Sequence, residues 1–407
     1  MNWEPRFASR AAGMRTSEIR DLLRVVDQPG VTSFAGGIPD SALFPLADIR
    51  NAYQAVLADD ASASRALQYS ASEGDPALRE WIVGYMGRKG VACEPENILI
   101  TNDAQQGLEF LCKLFLSAKD TALVTAPTYL GALQAFSAYE PVYDDLRLAD
   151  TNRTALSYRD AAAAAQGAVK FAYVVPDFSN PTGETLSLQA RRDLLRLAGE
   201  LDIPIIEDNP YTELRYDGED VPAIQSLDLA NCGSINASRV IHCGSFSKVF
   251  TPGLRVGWIC ASSAIINRLI LIKQASDLNS SAINQAVAVY LATQLFDEQV
   301  KKARESYRLK RDAMLNALAA YMPEGSHWTR PEGGLFVWLT LPEGFDSVSL
   351  LQKAIAEYGI AFVPGPAFFA DGRLRNTLRL SFSLPDIAGI DAGIRRLAAL
   401  VRSEQRL

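Results

Sequence analysis

The 407-residue sequence has few of the residues on which disulfide frameworks and metal centres depend. It contains only two histidines and five cysteines, and no two cysteines follow the C-x-x-C spacing. Two histidines are too few for a histidine-ligated metal centre, and an odd number of cysteines without paired spacing favours reduced thiols. We therefore expect neither a bound metal nor a disulfide scaffold.

Long apolar runs and an excess of positive charge are also missing. No run of about 18 apolar residues occurs, and the first ten residues, MNWEPRFASR, lack the apolar core of a secretory signal. The 40 basic and 47 acidic side chains give a formal net charge of -7, so no overall positive field attracts nucleic acid or an anionic membrane. These features predict a cytoplasmic protein that binds neither nucleic acid nor membranes.

The middle of the chain alternates short apolar runs with longer amphipathic segments. The apolar runs predict strands at 98–101, 122–125, 171–175, 203–206, 240–243 and 256–260. Apolar residues at spacings of three and four predict helices at 105–116, 129–139 and 188–201. This alternation predicts an α/β domain whose mostly parallel sheet lies between helices.

The two ends of the chain have a different pattern. Long helices are predicted at 264–295 and 298–321, and they are followed by a strand at 335–339, a helix at 347–358 and a strand at 377–382. Near the start, a helix at 16–26 precedes the turn-rich stretch SFAGGIPDSALFP. We predict a large domain over 45–290 and a smaller α+β domain over 291–407, against which residues 1–44 pack.

The first candidate site is the sequence Gly-Ser-Phe-Ser-Lys at 244–248, directly after a predicted strand. A lysine at the carboxyl end of a buried strand lies where ligands bind in open α/β sheets, and burial lowers its pKa toward a neutral, nucleophilic amine. Ser245, Ser247 and Arg255 could hold a phosphate. Taken alone, the segment is equally compatible with a Lys248 that extends past a polar turn into solvent.

The same segment also fits the S-x-x-K pattern of penicillin-binding serine acyl transferases. The K-T-G sequence that accompanies that pattern is absent here, and a parallel sheet does not suit that class. We therefore do not favour a serine acyl transferase.

Two more polar clusters follow predicted strands. Ser-Asn-Pro-Thr-Gly occupies 179–183, and Glu-Asp-Asn-Pro-Tyr occupies 207–211. Each could be only a turn or a loop carboxylate. At the same edge of the sheet, however, an acid such as Asp208 could pair with a protonated heterocyclic nitrogen.

Taken together, the order and separation of Asn180, Asp208, Tyr211, Lys248 and Arg255 resemble those of the class I/II aminotransferases, which are pyridoxal-phosphate enzymes of fold type I. The resemblance covers nearly the whole chain and lies in the segments SEIRDLL, SFAGGIPD, LQYSASEG, NPTG, EDNPY, SFSKVFTPGLRVGW and LRLSFS. Within the family, the sequence is most similar to the kynurenine/2-aminoadipate aminotransferase branch. The resemblance implies transfer of an amino group from an α-amino acid to a 2-oxo acid.

The resemblance also implies roles for individual residues. Lys248 would form the Schiff base with pyridoxal phosphate and carry the proton, and Asp208 would hold the pyridinium proton. Tyr211 would act with Asn180 at the cofactor O3′. The other implied cofactor contacts are Tyr129 on the ring face, Ser245, Ser247, Arg255 and the backbone amides of Ala104 and Gln105 at the phosphate, and Tyr69 from the partner subunit of a homodimer. The implied substrate contacts are Arg379 at the α-carboxylate, Asn180, Gly37 and Arg20.

Several points leave alternatives open. The family often has Ser-Gly-Ser-Gln-Gln where this chain has Asn-Asp-Ala-Gln-Gln at 102–106, so Ala104 replaces a serine hydroxyl and an acid stands beside it. The same cofactor also supports decarboxylation, racemisation, elimination and oxidation at Cα, for instance in a specialised biosynthetic pathway. A non-catalytic cofactor-sensing module is a third possibility, against which Lys248, Asp208 and Arg379 argue. Arg20 has a plain alternative as a solvated helix charge.

Overall fold

The structure is a computed structural model that describes residues 1–12, 30–147 and 153–405. The strands are β1 (Thr32–Ser33), β2 (Ile98–Thr101), β3 (Thr121–Val124), β4 (Val142–Asp145), β5 (Val169–Val174), β6 (Ile205–Asp208), β7 (Val240–Ser245), β8 (Gly257–Cys260), β9 (His327–Trp328), β10 (Phe336–Thr340), β11 (Ile360–Ala361), β12 (Val363–Pro364) and β13 (Thr377–Ser381). The helices are α1 (Ser9–Ala12), α2 (Leu46–Val56), α3 (Asp60–Leu67), α4 (Pro76–Arg88), α5 (Asp103–Phe115), α6 (Leu130–Ser137), α7 (Ala155–Ala164), α8 (Leu188–Leu201), α9 (Ile224–Cys232), α10 (Ser263–Gln274), α11 (Ala282–Tyr321), α12 (Ser347–Tyr358) and α13 (Ile387–Gln405).

A seven-stranded sheet forms the centre of the molecule, with the strand order β2-β8-β7-β6-β5-β3-β4. Strand β8 runs antiparallel to β2 and β7, and every other neighbouring pair is parallel. Every residue of β2, β3, β6, β7 and β8 is buried, as expected for strands covered on both faces. The predicted α/β class is therefore confirmed, and the polar residues that end β6 and β7 lie at one edge of the sheet.

The N-terminal strand β1 pairs in parallel with β11. A separate four-stranded antiparallel sheet has the order β12-β13-β10-β9. The Ser381 amide at the end of β13 donates to the Phe34 carbonyl (2.8 Å), and the Ser383 hydroxyl donates to the Ile38 carbonyl (2.8 Å). These bonds hold the segment that follows β1 beside β13.

The helices predicted at 264–295 and 298–321 are wrong in their boundaries. The structure has α10 and α11 instead, with a break over residues 275–281 and none near 296. Phe296 and Val300 are buried, so the apolar face of α11 continues through the predicted break. Over the described residues, no helix, α11 included, is apolar enough over a sufficient length to cross a membrane. The helix predicted at 16–26 lies outside the described residues.

A buried cation explains the break between α10 and α11. Lys273, near the end of α10, is 0% exposed, and its ammonium contacts Asp277 Oδ1 (3.0 Å), Ser280 Oγ (3.0 Å) and Gln106 Oε1 (3.2 Å). A buried charge needs such partners, so the chain turns to supply them. Ser281 then caps α11 by accepting a hydrogen bond from the Asn284 amide (3.4 Å).

A second buried cation fastens the loop 176–186 that carries Asn180. Arg191, on α8, is 0% exposed, and its guanidinium donates to the carbonyls of Leu186 (3.1 Å) and Pro176 (3.3 Å) at the two ends of this loop. It also forms an ion pair with the buried Asp177 carboxylate. Helix α8 thereby holds both ends of the loop.

We predict that Arg191→Ala lowers the free energy of unfolding by about 3–5 kcal/mol, because the buried Asp177 carboxylate loses its nearest cation and keeps only Arg215, at 3.8 Å. Urea unfolding followed by circular dichroism measures this loss. Arg192→Ala is the matched control, since Arg192 is exposed on the same helix, and its effect should stay within about 0.5 kcal/mol. Equal losses in the two variants would mean that the buried pair does not stabilise the loop.

Candidate active site

The carboxylate of Asp208 lies buried at the end of β6, at 2% exposure. Its Oδ2 accepts a hydrogen bond from the Tyr173 hydroxyl (2.8 Å), whereas Oδ1 has no partner among the described residues. Burial raises the pKa of Asp208 to about 6, although the bond from Tyr173 acts in the opposite direction. A buried carboxylate oxygen without a donor is costly, so this atom is suited to receive the N–H of a ligand.

Tyr173 is a site residue that the sequence reasoning missed. It lies on β5, opposite Ile206 of the parallel strand β6. Side chains alternate between the faces of a strand, so Tyr173 shares a face with residues 206 and 208. The available signal was a tyrosine that faces the same side of the sheet as an acid on the neighbouring strand. To use that signal, one must know which strands pair and in what register.

Lys248 follows β7 and is partly buried. Its ammonium donates to the Gly37 carbonyl (2.9 Å), and its nitrogen lies 5.8 Å from the centre of the Tyr211 ring. Burial lowers the pKa of Lys248 to about 8, although the charge of Asp103 acts in the opposite direction. At physiological pH a sizeable fraction of the Lys248 amine is therefore neutral, whereas almost none would be at the ordinary pKa of 10.5.

Gly37 lies between Lys248 and the side chains of Phe336 and Arg379. A Cβ added at Gly37 would lie 3.0 Å from Phe336 Cζ and 3.8 Å from a guanidinium nitrogen of Arg379. The lack of a side chain therefore lets the backbone pass close to both groups.

Arg379 lies on β13 and is 1% exposed. Its guanidinium donates to Asn180 Oδ1 (2.8 Å) and to the carbonyls of Ala35 (2.7 Å) and Gly36 (3.0 Å), but Nε has no partner among the described residues. The guanidinium carbon lies 4.4 Å from the centre of the Phe336 ring. A buried cation with a free N–H suits an anionic ligand, and a carboxylate matches its planar geometry.

Two tyrosines border the space near Lys248. Tyr211 is buried, packs edge-on against Phe336 at 5.7 Å between ring centres, and has its pKa raised by burial. Tyr129 precedes α6, and burial raises its pKa to about 12. A Cβ at Gly131 would lie 2.4 Å from Tyr129 Cζ, so the tyrosine ring covers this glycine. Both phenols therefore stay protonated at neutral pH.

Four donors converge at the start of α5 and form what we call the anion cup: the hydroxyls of Ser245 and Ser247, the guanidinium of Arg255 and the backbone amide of Ala104. All four bind the Asp103 carboxylate. Such a set of hydroxyls, guanidinium and helix-terminal amide suits a phosphate. The cup thus fits the phosphate of the expected cofactor, and a carboxylate stands in for that anion.

Three further residues were expected in the site, namely Gln105, Tyr69 and Arg20. Gln105 lies in the first turn of α5, and its side-chain amide donates to the Gly131 carbonyl (2.7 Å). Tyr69 is 78% exposed. Arg20 lies in the part of the chain that the structure does not describe. The fold thus gathers Lys248 and its neighbours into one site without Tyr69.

Comparisons with known proteins identify the family to which the chain is similar. The family model described as "Aminotransferase class I and II" matches residues 31–397. An aromatic-amino-acid aminotransferase 1 of Thermococcus litoralis is 40% identical, over 100% of this chain and 96% of that protein. A crystal structure of Pyrococcus horikoshii kynurenine aminotransferase, in complex with PMP, is 39% identical with a TM-score of 0.90, over 99% of this chain and 98% of that one. LysN, an alpha-aminoadipate aminotransferase of Thermus thermophilus complexed with N-(5'-phosphopyridoxyl)-L-leucine, is 35% identical with a TM-score of 0.89 over 100% of both chains.

We predict that Lys248 loses its proton around pH 8 in the cofactor-free chain. Because its pKa lies below the ordinary 10.5, the neutral and reactive amine is present from about pH 8 upward. The measurement is the rate of trinitrophenylation of Lys248 between pH 6 and 11, followed by peptide mass spectrometry, with the exposed Lys301 as the reference for reagent reactivity. A rate that shows no midpoint near pH 8 would contradict the prediction.

Proposed function

The chain belongs to the class I and II aminotransferases, and from that premise we propose which of its residues hold the cofactor and which bind the substrate. It is a pyridoxal-phosphate enzyme of fold type I that transfers an amino group between an amino acid and a 2-oxo acid. When bound, the cofactor supplies a reactive aldehyde and a pyridine ring that withdraws electrons from Cα of the substrate.

The unpartnered Oδ1 of Asp208 is the observation that carries the proposal. We assign this oxygen to the pyridinium N–H, while the Tyr173 hydroxyl keeps the other carboxylate oxygen occupied. Charge-assisted hydrogen bonds of this kind are about twice as strong as neutral ones. Asp208 would therefore keep the ring nitrogen protonated.

Lys248 would attach the cofactor and move the proton at Cα of the substrate. Its lowered pKa supplies the neutral amine needed for attack, and the same amine becomes an acid once it is protonated. Tyr211 and Asn180, both buried, would hold the ring oxygen O3′, and Tyr129 would cover the ring face. The anion cup and the backbone amide of Gln105 would hold the phosphate.

Arg379 would bind the α-carboxylate of the substrate. Its free Nε and its complete burial support this role, because a desolvated guanidinium binds a carboxylate strongly. Asn180 orients the guanidinium from one side, and the Gly37 backbone would border the bound substrate. On the sequence resemblance, Arg20 would meet a distal carboxylate.

The decisive test measures product formation from a panel of amino acids with and without 2-oxoglutarate. We expect amino transfer that requires the 2-oxo acid, with 2-aminoadipate, glutamate and aromatic amino acids as the first donors to test. Lys248→Ala should lower turnover by at least about 10²-fold, because the group that moves the proton is lost. Asp208→Asn should bind cofactor but lose most of its activity, since an amide holds the pyridinium proton poorly.

Products formed without a 2-oxo acid, such as carbon dioxide or the opposite enantiomer, would instead indicate another reaction at Cα. Arg20→Ala should weaken kcat/KM for dicarboxylic donors and spare aromatic ones. Equal losses for both donor classes would show that the substitution disturbs the surrounding segment.

We propose in addition that the enzyme is a cytoplasmic homodimer. All five cysteines are free, which suits a reducing compartment. Cell fractionation tests the cytoplasmic location. An open groove of about 770 Å³ beside Arg255 and Asn284 borders the anion cup, and the highly exposed Tyr69 side chain is available to a neighbour. Tyr69 of one subunit would enter this groove of its partner.

We predict that mixed dimers reveal the subunit to which Tyr69 contributes. Tyr69→Phe should weaken cofactor binding by about tenfold, through loss of one hydrogen bond to phosphate. A dimer that combines one Tyr69→Phe chain with one Lys248→Ala chain should regain one complete site, with near wild-type cofactor affinity and half the activity.

The matched control joins a doubly substituted chain, with both changes, to a wild-type chain. If Tyr69 acts across the interface, the control dimer has no complete site. If Tyr69 acts within its own chain, the two results exchange places, and an active monomer in sedimentation would refute the proposal outright.

A further inference from the structure

The Asp103 carboxylate occupies the place that a phosphate would take in the anion cup. We propose that Asp103 is a tethered competitor of the cofactor phosphate and so determines how tightly this enzyme holds its phosphorylated cofactor. The inference rests on the proposed cofactor site and concerns a residue to which that proposal gives no role.

The carboxylate uses the whole donor set of the cup. Its Oδ1 accepts from the Ser245 hydroxyl (2.6 Å) and the Ala104 amide (2.8 Å). Its Oδ2 accepts from the Ser247 hydroxyl and the Arg255 guanidinium. Four donors saturate a carboxylate, so a second anion can bind these groups only if Asp103 leaves them.

The backbone at Asp103 does not depend on the side chain. Its φ of +66° lies in the left-handed region that favours glycine. The Thr101 hydroxyl donates to the Asp103 carbonyl (3.0 Å), and a Cβ at Gly257 would lie 2.8 Å from Asp103 Cα. Since these contacts hold the turn, Asp103→Gly should keep its shape and remove only the competing carboxylate.

Charge sets the direction of the effect. The Asp103 carboxylate neutralises the single cation of the cup, Arg255, whereas a phosphate ester carries a charge of about -1.5 to -2 at pH 7. A phosphate that enters must displace the carboxylate and then remain near it. The groove lined by Asn102, Gln105 and Arg255 offers the displaced side chain an outlet toward solvent.

The competition separates two forms of the cofactor. Pyridoxal 5'-phosphate must displace Asp103, but pyridoxal, which lacks the phosphate, can bind with the carboxylate still in the cup. The competitor therefore penalises the phosphorylated form alone. A change elsewhere in the site should alter both affinities alike, so the ratio of the two affinities isolates the effect of Asp103.

The experiment measures dissociation constants of pyridoxal 5'-phosphate and pyridoxal by absorbance titration of the full chain, together with the rate at which the holoenzyme releases its cofactor. In Asp103→Gly we expect the phosphorylated form to bind at least about tenfold more tightly and to leave correspondingly more slowly. Pyridoxal affinity should stay within about twofold. Asp103→Asn should fall between this variant and the wild type, because an amide remains in the cup without the charge.

Asp346→Asn is the matched control. Asp346 also stands at a helix N-terminus and pairs with an arginine, Arg375, but on the smaller antiparallel part of the fold. Its substitution removes the same charge and should leave both affinities unchanged. If Asp346→Asn changed the affinities as much as Asp103→Asn does, the effect would come from the net charge of the protein and not from the anion cup.

Inorganic phosphate gives a second readout that needs no cofactor. Without phosphate, Asp103→Gly should have a lower melting temperature than the wild-type chain, because the cup loses its acceptor. Added phosphate should raise the melting temperature of the variant more than that of the wild type. An equal response of both proteins would overturn the proposal.

The outcomes separate the two claims. A wild-type chain that binds neither form of the cofactor refutes the proposed cofactor site itself. Normal binding and amino transfer by the wild type, with an unchanged or smaller preference of Asp103→Gly for the phosphorylated form, refutes only the competition by Asp103.

Discussion

The parallel pairing of β6 with β7, in which Asp208 lies opposite Cys243, is the constraint on which the site depends. Parallel strands end at the same edge of a sheet, so this pairing brings the acid at the end of β6 near the lysine that follows β7. The neighbouring strand β5 places Tyr173 on the same face of the sheet as Asp208, and it leads into the loop that carries Asn180. The chemistry of the site thus begins in the register of three buried strands.

Burial then gives these groups their reactivity. The same desolvation that raises the pKa of Asp208 to about 6 lowers that of Lys248 to about 8, because the charged form is the costly one in each case. Protein partners satisfy most of the buried polar atoms around them. Among the described residues, the buried atoms without a partner include Asp208 Oδ1 and Arg379 Nε, which have opposite hydrogen-bonding character. Asp208 Oδ1 can accept a hydrogen bond from a protonated nitrogen, and Arg379 Nε can donate one to a carboxylate.

The anion cup shows how one side chain can alter a site whose other parts are in place. Ser245, Ser247 and Arg255 follow the pattern expected of a phosphate site, yet all three bind Asp103. The acid at 103 was visible in the sequence, but its contact with residues more than 140 positions away was not. Neither the left-handed turn at Asp103 nor its approach to Gly257 is a property of the local sequence.

By itself, the sequence determined the α/β class, the positions of the buried strands and the motif residues Lys248 and Asp208, because these depend on local periodicity and on residue order. Helix 188–201 was predicted to the residue for the same reason. Only the tertiary structure decided that α11 runs unbroken past Phe296 and that the chain turns at 275–281 around Lys273. It alone also decided that Tyr173 binds Asp208 and that Asp103 binds the donors of the anion cup. Burial decides each of these, and burial depends on which segments pack together. The cost of burying a charge or a hydroxyl then selects partners, such as Gln106 for Lys273 and Asp208 for Tyr173, that no local pattern specifies.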